Sequence, residues 1–207
     1  MVDPLLKPRP ALAGLLVAGR HGRPDGPPGV TLREHTHLAL ASVMARRGEA
    51  EALDALVRNA YGFDLPQTPR LAGGSMPDGR SMSFIWAGPR QWLVAAEGIA
   101  ELERELVAAL GRRAVIADQS DGRCLIGMSG SFARHVLAKG AAIDLDPRVF
   151  KPGDVAITQA AHVNMHLWQL DDRPSYEISV FRSLAASFWS WLCASAAEFG
   201  YEVVAEG

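Results

Sequence analysis

Apolar positions change their spacing along the chain, and each change marks an element. Residues 31–34 and 38–45 alternate like strands. In residues 49–60, Leu53, Leu56, Val57 and Ala60 recur at helical spacing, and Gly62 stands just beyond as a stop. Residues 64–80 lose all periodicity under Pro66, Pro69, Gly73, Gly74, Pro77 and Gly79, which predicts a loop. Residues 81–87 and 91–96 flank Gly88-Pro89-Arg90, a hairpin pattern. Ile99, Leu102, Leu106 and Leu110 line one face of a helix that Gly111 ends. Strands follow at 114–118 and 123–128, then a short helix at 131–139 that ends at Gly140. Three more strands are expected at 155–161, 163–169 and 176–181, with a last one at 202–205. Strand pairs mixed with helices, on short connections, predict an α+β fold with largely antiparallel sheets and about four helices. A parallel nucleotide-binding fold would show single strands alternating with helices.

The stretch 183–197 breaks the amphipathic rule. It reads as a helix, yet it holds no charged residue between Arg182 and Glu198. It is too short to span a bilayer, which takes about 20 apolar residues. Leu184, Phe188, Trp191, Leu192 and Phe199 share one face, while Ala185, Trp189, Cys193 and Ala196 flank or oppose it. A helix without a charged face is covered on several sides, and another protein chain is the expected cover. Trp189 is the expected anchor, because tryptophan is favoured at interface hot spots. Trp86, Trp92, Ala185 and Cys193 complete the expected partner-facing set; core packing is the competing reading for Trp189. Residues 1–30 carry six prolines and five glycines and are expected to form an N-terminal arm. Residues 31–207 are expected to form a single α+β domain.

Composition narrows the chemistry. A net charge of -2 gives no push toward nucleic acid or an acidic membrane. Two cysteines, Cys124 and Cys193, far apart in sequence, argue against a disulfide framework and favour a reducing, cytoplasmic setting. No secretory signal pattern is visible. The N-terminal glycines do not spell a dinucleotide-binding fingerprint. Gly127-Met-Ser129-Gly130-Ser131 approaches a nucleophile elbow but has serine where the second glycine belongs; the better reading is a strand end followed by a helix cap. His35 with His37, and His162 with His166, could share strand faces, but no zinc pattern of three or four ligands surrounds them. Asp118 and Asp121 read as turn acids that pair with Arg123. The residues therefore supply no catalytic, cofactor-binding or metal site, and describe a binding or assembly subunit.

Three segments carry a family resemblance. The first is Trp86-Ala-Gly-Pro-Arg-Gln-Trp92-Leu-Val. The second runs from Asp118-Gln-Ser120 through Leu125-Ile-Gly-Met-Ser-Gly130, Ala133-Arg-His-Val-Leu-Ala-Lys139-Gly140 and Asp144-Leu-Asp-Pro147 to Phe150-x-Pro-Gly153. The third is Tyr176-Glu-Ile-Ser-Val-Phe-Arg182-Ser183 with Phe188-Trp-Ser-Trp-Leu192 and Phe199-Gly200. Together, in this order, they resemble the gamma subunits of heterotetrameric sarcosine oxidases. The resemblance implies a fold related to the folate-binding part of the glycine-cleavage T-protein. It implies a complex with alpha, beta and delta subunits that oxidatively demethylates sarcosine to glycine. FAD, FMN and NAD would sit on alpha and beta and zinc on delta, with none in this chain. Arg90-Gln91 departs from the family's frequent Asp-Glu, and the arm is longer and richer in proline. A stand-alone tetrahydrofolate-binding one-carbon protein of the T-protein type is the alternative; a hydrolase using Ser129 and a histidine is remote.

Overall fold

The computed structural model describes residues 9–23, 25–76 and 78–205, so residues 1–8 and 24 of the expected arm lie outside the described residues. In chain order the strands are β1 (Gly19–His21), β2 (Val30–His35), β3 (Ala39–Ala45), β4 (Leu71–Ser75), β5 (Ser81–Gly88), β6 (Gln91–Glu97), β7 (Ala114–Asp118), β8 (Arg123–Ser129), β9 (Val155–Ala160), β10 (Val163–Asp171), β11 (Ser175–Phe181) and β12 (Tyr201–Val203). The helices are α1 (Ala50–Tyr61), α2 (Leu102–Leu110), α3 (Ala133–Ala138) and α4 (Ala185–Ala196).

Seven strands form one sheet in the order β1-β12-β2-β8-β11-β10-β9, and five form a second in the order β4-β5-β6-β3-β7. Every named pairing is antiparallel except β2 with β12. The α+β, largely antiparallel expectation holds, with four α-helices among the described residues.

Three apolar clusters show how the layers stack. On the small sheet, Val43, Phe84, Trp92 and Val94 pack against Leu53 and Val57 of α1 and Leu102 and Leu106 of α2. On the large sheet, Leu32, Ile126, Leu167 and Ile178 pack against Val136 and Leu137 of α3 and Phe188 and Leu192 of α4. A third cluster joins Leu40, Ile85 and Leu93 to Leu125, Val155 and Trp168, one trio from each sheet. The order is therefore helix, sheet, sheet, helix. Alternation dictates it: each strand turns one side to its helices and the other to the opposite sheet.

The expected loop 64–80 contains β4. Its glycines are what the pairing with β5 requires: a Cβ on Gly73, at φ 156°, would stand 2.2 Å from the Met82 carbonyl oxygen. The expected arm is tied to the large sheet. Leu12 is fully buried in the core, and β1 pairs with β12. The Glu34 carboxylate accepts the Leu12 amide at 3.1 and 3.2 Å, fixing the turn that delivers this side chain.

Candidate functional site

The side chains between the two sheets are unexpectedly polar. β11 alternates Tyr176, Ile178 and Val180 toward the helices with Glu177 and Ser179 toward the small sheet. Ser179 is fully buried and Glu177 is 8% exposed. His35, at the end of β2, reaches across β8: its Nε2 lies 3.0 Å from Glu177 Oε1 and 2.9 Å from Oε2. Gly127 makes this crossing possible. It is in register with both Arg33 and Glu177, and a Cβ there would stand 2.8 Å from His35 Nε2. A glycine inside a strand often marks such an approach, and that was the one available sequence signal for this pair.

His166 of β10 lies in the same layer. Its Nε2 donates to the Trp86 carbonyl oxygen at 2.8 Å, linking the large sheet to the small one. Burial pushes its pKa down to about 4, against the opposing pull of that hydrogen bond. A neutral imidazole that donates from Nε2 holds two sheets together; it is not poised as a base near neutral pH. His162 sits outside the strand at φ 68°, in the turn between β9 and β10, so it does not join His166 on a strand face. The rings of His35 and His37 meet edge to face at 5.8 Å. Among the described residues, no group of three or more His, Cys, Asp or Glu could hold a metal ion.

Two local expectations are corrected. The helix after Ser129 begins at Ala133, not Ser131; Phe132 precedes it and no side chain caps it. The turn acids do not pair with Arg123. Asp118 instead accepts the amide and hydroxyl of Ser120, at 2.9 and 2.7 Å, shaping the turn, while the Arg123 guanidinium stands over the Phe181 ring at 4.8 Å.

The uncharged helix α4 is packed on one side and open on the other. Ala185, Phe188, Trp189, Leu192, Ser195 and Ala196 are buried. Ala186, Ser187, Ser190 and Ala194 are exposed. Leu184, grouped by spacing on one face with Phe188 and Leu192, is 38% exposed while they are buried, and Trp189, expected to flank or oppose that face, lies within the core at 5%. Trp92 and Ala185 are corrected as partner-facing residues. Both are buried in this chain: the Trp92 indole N–H is satisfied by the Pro66 carbonyl at 2.8 Å, and Ala185 packs in the core of the large sheet. Trp86 and Cys193 are half-buried.

A groove of about 330 Å³ runs beside α4. Ala186, Ser190, Cys193 and the edge of Trp189 form one side; Leu15, Val17 and Tyr201 form the other. Leu15 and Val17 are 48% and 62% exposed. Burial pushes the Tyr201 phenol up to about 12 and raises the Cys193 thiol, so neither ionises near neutrality. His21 also lines the groove, its ring stacked on Tyr201 at 5.1 Å, and the lining presents apolar surface with polar groups but, among the described residues, no acid, lysine or arginine, the composition of an interface core rather than of a reaction centre.

This layered arrangement is that of the T-protein class. The glycine cleavage system aminomethyltransferase T from Bartonella henselae superposes with a TM-score of 0.64, covering 85% of this chain and 48% of that one, a likeness of fold at 15% identity. A chain of the heterotetrameric sarcosine oxidase from Corynebacterium sp. U-96, solved with pyrrole 2-carboxylate, superposes with a TM-score of 0.77 at 27% identity, covering 93% of this chain and 96% of that one. Sarcosine oxidase subunit gamma of Corynebacterium sp. (strain P-1) is 33% identical over 177 residues, 85% of this chain and 84% of its own length. The subunit gamma of strain U-96 is 31% identical over 209 aligned positions, 99% of this chain and 98% of its own length. The family described as sarcosine oxidase, gamma subunit matches residues 47–198. The chain belongs to the sarcosine oxidase gamma subunit family.

Proposed function

We propose that this chain is the gamma subunit of a cytoplasmic heterotetrameric sarcosine oxidase, a non-catalytic component that helps assemble the enzyme oxidising sarcosine to glycine. Alpha, beta and delta subunits would be its partners. FAD, FMN, NAD and zinc would reside on them. The observation that carries this reading is the superposition on a chain of a heterotetrameric sarcosine oxidase over nearly the full length of both. The docking surface is the exposed, uncharged side of α4 with the adjoining groove. Cys193 and the edge of Trp189 contribute from the groove wall, and half-buried Trp86 from the small sheet.

The tetrahydrofolate-binding alternative calls for aromatic rings and an acid converging on a pocket. The cleft holding Glu34 and Asp121 is lined by no Phe, Tyr or Trp among the described residues. Trp92, Trp168 and Trp189 are buried in the cores instead.

Co-expression tests the assignment. The purified chain alone should turn over no sarcosine, and it should co-purify with the flavoprotein subunits when made with them. Ala186→Glu with Ser190→Glu places two charges on the open side of α4, where substitutions cost the fold within about 0.5 kcal/mol each. This double variant should keep its circular dichroism and lose co-purification. Sarcosine turnover by the isolated chain would refute the subunit assignment. Undiminished co-purification of the double variant would move the docking surface elsewhere.

A further inference from the structure

Arg123 opens β8 on the face turned toward the small sheet. It is half-buried, and the cost of desolvation lowers its pKa with no carboxylate offsetting it. Its Nη1 reaches Ser179 Oγ only at 3.4 Å, and its buried Nε meets no acceptor among the described residues. A guanidinium carries five donors in a planar fork, and this one has most of them unspent.

The same side chain lines a cleft of about 390 Å³. Arg9 and Arg182 stand on the lining with it, Leu38 and Leu40 supply an apolar wall, and Asp121 lies on the lining as well. Arg182 is held in place by donating to the carbonyl oxygens of Arg9 and Pro10, which leaves its charge unneutralised. Glu34, also on the lining, has its carboxylate engaged by the Leu12 amide. The volume lies at the small end of the range for ligand clefts, roughly 300 to 1,000 Å³.

We infer that this cleft binds a small organic monocarboxylate, its carboxylate held by the Arg123 fork and its hydrocarbon body lying against Leu38 and Leu40. Arginine matches a carboxylate with two parallel N–H···O bonds. Arg9 and Arg182 add attraction for one negative charge, and the two acids on the lining oppose a second. A monoanion with an apolar body therefore suits the cleft better than phosphate. This assigns the chain a ligand of its own, beyond its part in assembly.

Calorimetric titration of sodium benzoate into the full chain, at fixed ionic strength, tests the site. Benzoate should bind more tightly than acetate, and acetate more tightly than phosphate, with chloride as the baseline. Arg123→Gln should weaken benzoate by at least about tenfold, the loss of charge-assisted hydrogen bonds. Asp121→Asn removes an exposed opposing charge and should tighten benzoate by roughly two- to fivefold, a gain that a folding defect cannot imitate. Benzoate heats no larger than those of chloride, or an affinity that neither substitution moves, would overturn the inference.

Discussion

At neutral pH the His166 ring is uncharged, with its Nε2 proton committed to the Trp86 carbonyl. The sign of its effect on stability follows from the two states. The unfolded chain takes up a proton near pH 6.5 and the folded chain only near 4. Between those values the unfolded state binds more protons, so stability falls as pH falls. The full contribution is present above pH 6.5 and is gone below 4, a swing on the order of 3 kcal/mol. His166→Gln keeps an N–H for Trp86 and cannot titrate in that window. Urea midpoints measured from pH 7 to 4 should show the natural chain losing stability relative to this variant; a constant difference would remove His166 from the acid response. The residue itself stood out in the sequence as a histidine, but its role did not. Its role depends on a carbonyl 80 positions away, brought close only when the two sheets face each other. The same holds for the pair His35 and Glu177, separated by 142 positions.

Single elements were the most legible level. The hairpin of β5 and β6, the amphipathic α1 and α2, and the run β9 to β11 all announce themselves by spacing. β4 did not, because its glycines and the prolines before it read as punctuation. They serve instead to bring β4 close against β5. α4 was legible as a helix and illegible in orientation. With no charge on any side, composition could not tell which flank meets the sheet, and it left Trp189 open between partner anchor and core; the residue is buried, with only its edge on the groove. Phe188, fully buried, is the measure of that packing. Phe188→Ala should cost about 3–5 kcal/mol in chemical denaturation, whereas Ser187→Ala on the open side should change little; equal effects would mean that α4 is not packed as described.

Across the whole molecule, each sheet is completed by segments distant in sequence. β12 slots between β1 and β2, so residues 19–21 and 201–203 depend on each other. Leu12 anchors the near end of that arrangement from within the core. Leu12→Ala should cost about 2–5 kcal/mol and should also speed amide exchange in β1 and β12 more than in β5 and β6. Uniform acceleration would show that the segment before β1 is not coupled to this edge of the sheet. The candidate site was legible only as a class of surface, since the groove draws on Leu15 and Val17, on α4 and on Tyr201, and no window of sequence contains all three.

That composite groove has a bearing on when the protein can be recognised. One wall joins Leu15 and Val17, translated early, to Tyr201, which is made only after α4, the opposite wall, is complete. Domains form as units once their parts have emerged from the ribosome. A nascent chain halted before Tyr201 would show a partner half a surface beside an unfilled gap in the sheet. A companion chain that grips this groove would in effect sort copies by whether β12 has taken its place between β1 and β2.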